Sequence, residues 1–261
     1  MRYLRLYLHF VRFSLSRALE FRFDFYFRIV MDVVFYATQL AFFTVLYGQT
    51  RELGGWSLDQ IYLFATGYFV VDALFMTVFA NNVWWLPILV NKGDLDYHLV
   101  RPVSSLFFVS LRDFAANSLI NLVIAGGLLG WAVARYPEPL GAGRVILFVL
   151  FLLLGAWLLY LVRLLFVLPV FWTHSGHGLL EVSWALTFLG ERPVEIYHPW
   201  LRALLLTVLP LGFVASVPVS VLFSGWTLAG LAHAGLVTAG MTALTLWLWR
   251  RALAAYASAS S

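Results

Sequence analysis

The chain has 261 residues, of which 62% are hydrophobic, 18% aromatic and only 11% charged, with a formal net charge of +4. A soluble domain carries about 25% charged residues, so this composition excludes a soluble enzyme and points to a polytopic membrane protein, and the modest positive balance requires no nucleic-acid partner. Cysteine is absent, which excludes disulfides and thiolate metal sites.

Residues 1–20 read as an amphipathic helix. Arg2, Arg5, His9, Arg12, Ser16 and Glu20 share one face, and Tyr3, Leu4, Tyr7, Leu8, Val11, Leu15 and Leu19 the other. A cationic stripe opposite an aliphatic and aromatic one suits a helix lying in the headgroup plane. Arginines recur through the first 28 positions without a short apolar core and cleavage site, which argues against a cleavable signal. The run 21–28 alternates aromatic and arginine residues, as at a membrane interface. Residues 1–26 are therefore expected to form an interfacial helix and collar.

Apolar runs long enough for roughly 30 Å of hydrocarbon predict spans at 27–48, 58–80, 106–134 and 144–172, a fifth ending near 190, and a last at 226–249. Between them, 191–224 is punctuated by Pro193, Pro199, Pro210 and Pro218. Pro210 with Gly212 would break one helix at its centre, so the apolar pieces 201–209 and 211–223 read as two half-helices dipping in and out of the outer face. Charge placement selects six spans with both termini cytoplasmic. That side then holds Arg2, Arg5, Arg12, Arg17, Arg22, Arg28, Lys92, Arg101, Arg112, Arg250 and Arg251, leaving Arg51, Arg135, Arg144, Arg192 and Arg202 outside. The expected fold is an all-α polytopic membrane protein, one domain over 1–261. It has six transmembrane helices, an N-terminal amphipathic interfacial helix and an outer re-entrant helical hairpin before the last span.

The inner loop 81–105 contains the one island of clustered charge between two long apolar runs, and the only lysine, Lys92. Gly93 allows a tight turn, Asp94 suits the N-cap of a short helix, and Pro102 pushes Arg101 out of the helical region and stops it. A brief helix there offers a handle to another protein; the alternative is a solvated loop whose charges only set topology.

Ionisable groups in lipid are costly and face a partner or a path. Asp32, Asp72 and Arg163 fall at similar depth in the inner leaflet, which predicts that Asp72 or Asp32 pairs with Arg163 and fixes helix packing. In the third span Asn117 and Asn121 stand four residues apart, facing either a helix contact or a transport path, and Gly126, Gly127 and Gly130 offer a small-residue packing face. His174 and His177 lack the third and fourth ligands zinc needs, so they read as a polar turn and no metal site is expected. Gly190 to Pro193, with Glu191, reads as an outer loop, and Glu181, Glu191 and Glu195 form no nucleophile–base constellation.

This layout, with Gly93-Asp94-Leu95-Asp96 through Arg101-Pro102 and Pro199-Trp200-Leu201-Arg202 through Pro210 and Pro218, resembles the permease subunits of type-2 ABC exporters. It is most similar to the branch with a Gly-Asp-Leu-Asp and Arg-Pro inner loop. The resemblance implies that Arg5 and Arg12 of the first helix, together with Gly93, Asp94, Leu95, Asp96, Tyr97, His98 and Arg101, contact an ABC ATPase subunit dimer. A second permease chain, the same or different, would complete the path through the lipid. Independently, a Walker A loop needs Gly-x-x-x-x-Gly-Lys, whereas Lys92 sits in Asn-Lys-Gly, so this chain is expected to carry no such nucleotide site and no cofactor; if transport is ATP-driven, as the resemblance implies, ATP and magnesium are expected in the partner. The expected function is the non-enzymatic permease subunit of an exporter in a bacterial-type inner (plasma) membrane, moving a drug, lipid or lipid-linked glycan. The alternatives are a membrane enzyme acting on lipid through His174, His177 and Glu181, and an ion-coupled transporter using Asp72; the second usually shows internal repeats, and none is visible between the halves.

Overall fold

Four helical stretches of the computed structural model are long and apolar enough to cross a membrane: Ile29–Tyr47, Leu58–Lys92, Ala142–Thr173 and Leu228–Ala255. The structure describes residues 2–18, 22–50, 52–175 and 177–256, with no strand among them. Leu19, Glu20 and the collar residue Phe21, with Arg51, lie outside the described residues, as do the side chains of Arg2, Arg17, residues 22–26, Arg28, Asn117 and His177.

The helices in order are α1 (Arg2–Ala18), α2 (Arg22–Tyr47), α3 (Leu58–Phe75), α4 (Asn81–Lys92), α5 (Asp96–Leu99), α6 (Ser105–Leu111), α7 (Leu119–Arg135), α8 (Ala142–Val167), α9 (Val170–Thr173), α10 (His177–Thr187), α11 (Pro199–Thr207), α12 (Ser216–Ser224) and α13 (Leu228–Ala255). Helix α3 begins in a capping box, with Ser57 N–H donating to Gln60 Oε1 at 2.9 Å and Gln60 N–H to Ser57 Oγ at 3.4 Å. It is the central element, buried on nearly every face against α7, α8 and α12.

The second span does not end near residue 80. A π-helical turn, Met76–Ala80, carries α3 directly into α4, so one helix runs to Lys92. Asn82 looked like the polar end of a span, yet it is buried beside Val83, Leu86 and Val90. Its partner explains this. The third span, expected as one helix over 106–134, is broken between Leu111 and Leu119, with only a 3-10 turn at Ala116–Ser118 in the gap. The Asn82 amide closes the gap by accepting from Asp113 N–H at 2.9 Å and donating to Asp113 C=O at 2.8 Å. Ala115 N–H donates to the Thr77 carbonyl in the π-turn at 2.8 Å, and Phe114 N–H to Ser14 Oγ of α1 at 3.3 Å. Buried non-helical backbone needs partners for its N–H and C=O groups, and here two irregular segments and α1 supply one another's partners.

Helix α1 therefore has three faces rather than two. Tyr3, Phe10 and Tyr7 meet the edges of Phe107, Phe108 and Phe114 respectively, at centroid distances of 4.7, 5.3 and 6.5 Å. Leu4, Leu8 and Leu15 point outward, and Arg5, His9 and Arg12 form the exposed polar stripe. Near the same end of the bundle Trp249 of α13 donates to Ser105 Oγ at 3.1 Å, so α1, the loop after α4 and the end of α13 gather together. At the opposite end Arg135 pairs with Asp59 at 3.0 Å and Arg202 with Glu195 at 3.7 Å.

Beyond α9, His174 adopts a left-handed turn at φ +51° and α10 follows. With its 3-10 continuation Phe188–Glu191 it is shorter than the roughly 20 residues of a perpendicular crossing. The expected break at Pro210–Gly212 is present: α11 and α12 are separate helices joined through a 3-10 turn, Leu211–Phe213. That turn lies directly on α8, where a Cβ at Gly155 would overlap the Phe213 carbonyl oxygen. The predicted small-residue face makes no contact within this chain: a Cβ on Gly126, Gly127 or Gly130 would meet nothing within 4 Å, so α7 turns these glycines away from its own neighbours. The reading of Glu191 is corrected. It is half-buried rather than in a free loop, and accepts from Tyr68 OH at 3.4 Å and Gln39 Nε2 at 3.5 Å.

Candidate coupling knob and intramembrane polar site

Helix α4 stops at Gly93, whose φ of +77° is the left-handed conformation glycine adopts without strain. The chain turns back so that Leu95 N–H reaches the Leu89 carbonyl at 3.3 Å, and Leu95 is completely buried. Asp94 does not cap the following helix; Leu95 holds the N-cap position of α5, and no side chain bonds to it there. The short helix is held by packing instead. His98 is buried and stacks on Phe108 of α6 with centroids 4.9 Å apart, and the Arg101 guanidinium lies 4.8 Å from the same ring. Arg112 Nη1 sits 2.6 Å from His98 Nε2; a guanidinium only donates, so Nε2 accepts and the proton of the neutral ring is on Nδ1. Burial first, then the charges of Arg112 and Arg101, lower the His98 pKa from 6.5 to about 4. The outer side of the turn presents Tyr97, 69% exposed, and Val100, 82% exposed. The result is a small, firmly seated knob with an aromatic and an aliphatic tip.

The polar residues expected within the spans divide into two groups. Asp32 of α2 accepts a hydrogen bond from Asn121 Nδ2 of α7, and both line a cavity of about 140 Å³ with Asp72, Tyr36, Ser118 and Trp84. Asn117 was expected beside Asn121, but its side chain lies outside the description. Arg163 does not form the predicted ion pair. Among the described residues, none of its three guanidinium nitrogens has a hydrogen-bond partner, although the side chain is buried. It is sandwiched between aromatic rings, 3.8 Å from the centroid of Trp184 on α10 and 4.6 Å from that of Phe75 on α3. Asp72 and Glu191 act on it only through their fields. Stacking competes with pairing because guanidinium is flat and weakly hydrated, so an aromatic sandwich offsets part of its desolvation.

Among the described residues no three His, Asp or Glu side chains group as metal ligands, and His174 and Glu181 are exposed. A family model described as ABC-2 family transporter protein matches residues 33–260. The chain belongs to that family. It is thus a multi-pass membrane protein of a transporter family. No curated protein and no solved structure matches the chain. The ABC-2 match takes in the knob, Asp72, Asn121 and Arg163, with Asp32 one residue before it. Two neighbours of the predicted polar residues in this ABC-2 chain, Trp184 and Asn82, were not singled out from the sequence. Trp184 carries no mark among 11 tryptophans, whereas the pair Asn81-Asn82 inside a continuous apolar run is a signal that a broken backbone lies nearby.

Proposed function

We propose that this ABC-2 family protein is the membrane-spanning permease subunit of an ATP-driven exporter for an amphipathic or hydrophobic cargo, with the ATPase on a separate chain. The knob carries the reading. Exposed Tyr97 and Val100 are what a partner would grip, while buried Leu95 and His98 tie the knob to α4 and α6. A push on the tip would be transmitted to the helix that runs from Lys92 back past Asp72, and through Phe108 to the broken third span. ATP binding would close two ATPase units and deliver that push.

In this proposal the molecule crosses a bacterial-type inner membrane six times, with α10 and its 3-10 turn within the fifth crossing and α11–α12 as a re-entrant hairpin on the outer face. The common end of α1, the knob and α13 then lies in the cytoplasm. Lys92, Arg101, Arg250 and Arg251 near that end support this sidedness. A second permease chain would face the exposed flanks of α2 and α13.

The test is co-purification of the tagged chain with its ATPase from gentle detergent. The wild-type chain is expected to bring down an ATPase subunit, and Tyr97→Glu combined with Val100→Asp to reduce the yield of that subunit at least tenfold at unchanged thermal midpoint. Absence of an ATPase from the wild-type preparation, or full retention by the double variant, overturns the reading.

A further inference from the structure

A cavity between α6, the π-turn, α8 and α13 belongs neither to the knob nor to the polar residues of the spans. Its volume is about 240 Å³, no charged residue lines it, and Phe79, Phe107, Trp157, Leu161 and Leu246 stand in its wall. Each hydroxyl of that wall is hydrogen-bonded within the protein. Ser110 Oγ and Tyr160 OH meet at 2.5 Å, and Trp157 Nε1 donates to Thr242 Oγ1 at 3.3 Å. Thr245 donates to the Met241 carbonyl at 2.8 Å, and Ser104 Oγ accepts from Phe107 N–H at 3.4 Å. A polar guest would lose its water for few new partners, whereas an apolar cavity of about 150 Å³ already admits benzene. The cavity is open beside Trp157 and Leu246, which are 37% and 42% exposed on two helices long and apolar enough to cross a membrane. Lipid chains lie against such a face, and a helix about 10–12 Å across is too thick to enter.

One end of the cavity meets a cation. Trp249 Nε1 donates to Ser105 Oγ at 3.1 Å, and Ser105 sits between the lining residues Ser104 and Leu106, so the cavity reaches the level of Trp249 and Arg250 on α13. Thr242, Leu246 and Arg250 follow at four-residue intervals and share one face of that helix. Exposed Arg250 therefore stands one turn beyond the mouth residue Leu246, and among the described residues it has no hydrogen bond or ion pair. Arg251 is turned about 100° away and lies 5.6 Å from the Trp247 ring centroid. From Thr242 to Arg250 is about 12 Å at about 1.5 Å per residue. An apolar slot of that depth below an unpaired guanidinium complements a hydrocarbon chain under a phosphate, and basic positions beside spanning helices hold anionic headgroups.

We infer that this cavity holds one acyl chain of an anionic phospholipid, whose phosphate meets Arg250. The lipid is a resident of the fold rather than cargo: its chain rests on α6 and on Phe79 of the π-turn, the two elements beside the break in the third span. The inference needs only that α13 lies in a membrane, and no ATPase partner enters it.

The test is native mass spectrometry of the full chain, released from gentle detergent and titrated with dioleoyl phosphatidylglycerol or dioleoyl phosphatidylcholine. The first phosphatidylglycerol is expected to bind the wild-type chain at least tenfold more tightly than the first phosphatidylcholine. Arg250→Gln is expected to bring the two lipids within twofold of each other, while Arg251→Gln keeps the preference. Leu246→Trp fills the mouth from an exposed position and is expected to weaken the first phosphatidylglycerol at least tenfold. Equal binding of the two lipids to the wild-type chain overturns the inference. So do equal effects of the two arginine variants, which would report net charge alone. A Leu246→Trp chain that keeps its phosphatidylglycerol overturns it too, and loss of dimers in that variant would give the cavity to a second copy. If Leu246→Trp does not fold, the two arginine variants, both at exposed positions, decide.

Discussion

Asn82 holds Asp113 by both of its backbone groups, accepting from the N–H at 2.9 Å and donating to the C=O at 2.8 Å. One side chain on the long second helix thereby replaces the helical hydrogen bonds lost in the break of the third. Asn82→Leu keeps the branched shape but removes the hydrogen bonds to both Asp113 backbone groups, at about 1–3 kcal/mol each. The thermal midpoint of the purified chain is expected to fall by several degrees. A midpoint unchanged from wild type would mean that the break has another support.

Arg163 offers a test of sign. A buried charge with stacked rings but no hydrogen bond contributes little net stability, and an apolar replacement of similar length is neutral or stabilising in such settings. Arg163→Met is expected to keep or raise the thermal midpoint. Trp184→Ala strips the closer ring from the charge; because Trp184 is only half-buried, the expected loss lies below the about 3–5 kcal/mol of a fully buried tryptophan. If Arg163→Met were the more damaging of the two, the guanidinium would have to be paired in a way the sandwich does not provide.

Close approach at Gly155 sets another expectation. Its missing Cβ is what lets the Phe213 carbonyl rest on α8, so Gly155→Ala forces backbone apart at a cost of about 1–3 kcal/mol. Gly127→Ala adds a methyl to open space in a helix interior, where alanine is favoured over glycine by about 1 kcal/mol. Opposite shifts of the midpoint by the two variants in urea or heat denaturation are the expected result.

His98 predicts a pH dependence. Its pKa in the folded chain is about 4, below the ordinary 6.5, so the folded form holds the ring neutral where the unfolded chain already binds a proton. The contribution is fully present above about pH 6.5, and is lost as pH falls from there through 4. Stability measured between pH 7.5 and 4.5 is expected to decline less steeply in His98→Asn than in the wild-type protein. Parallel curves would show that folding does not lower the pKa of the ring.

Much of the frame was readable from residue type alone. Long apolar runs, the charged stripe of α1, Gly93 as a tight turn, and Pro210 with Gly212 as a break each follow from one local rule with no competing demand. The misreadings share a different cause. The third span scores as one helix because Leu106 to Ala134 is mostly apolar, and only a neighbour bearing Asn82 and a spare carbonyl at Thr77 makes a break there affordable. Asp94 has the chemistry of a cap but is displaced from the cap position because Leu95 must be buried. Opposite charges on Asp72 and Arg163 suggested a pair, and the rings of Phe75 and Trp184, distant in sequence, took the guanidinium instead.

The sequence by itself determined the medium this protein is made for, a bilayer, and the amphipathic pattern of its first helix. Which polar groups meet inside that bilayer was decided only in three dimensions. Apolar periodicity sets how a helix lies in lipid, but the partner of a buried hydrogen bond or charge depends on the rotation and height of a neighbouring helix, and no local pattern encodes either.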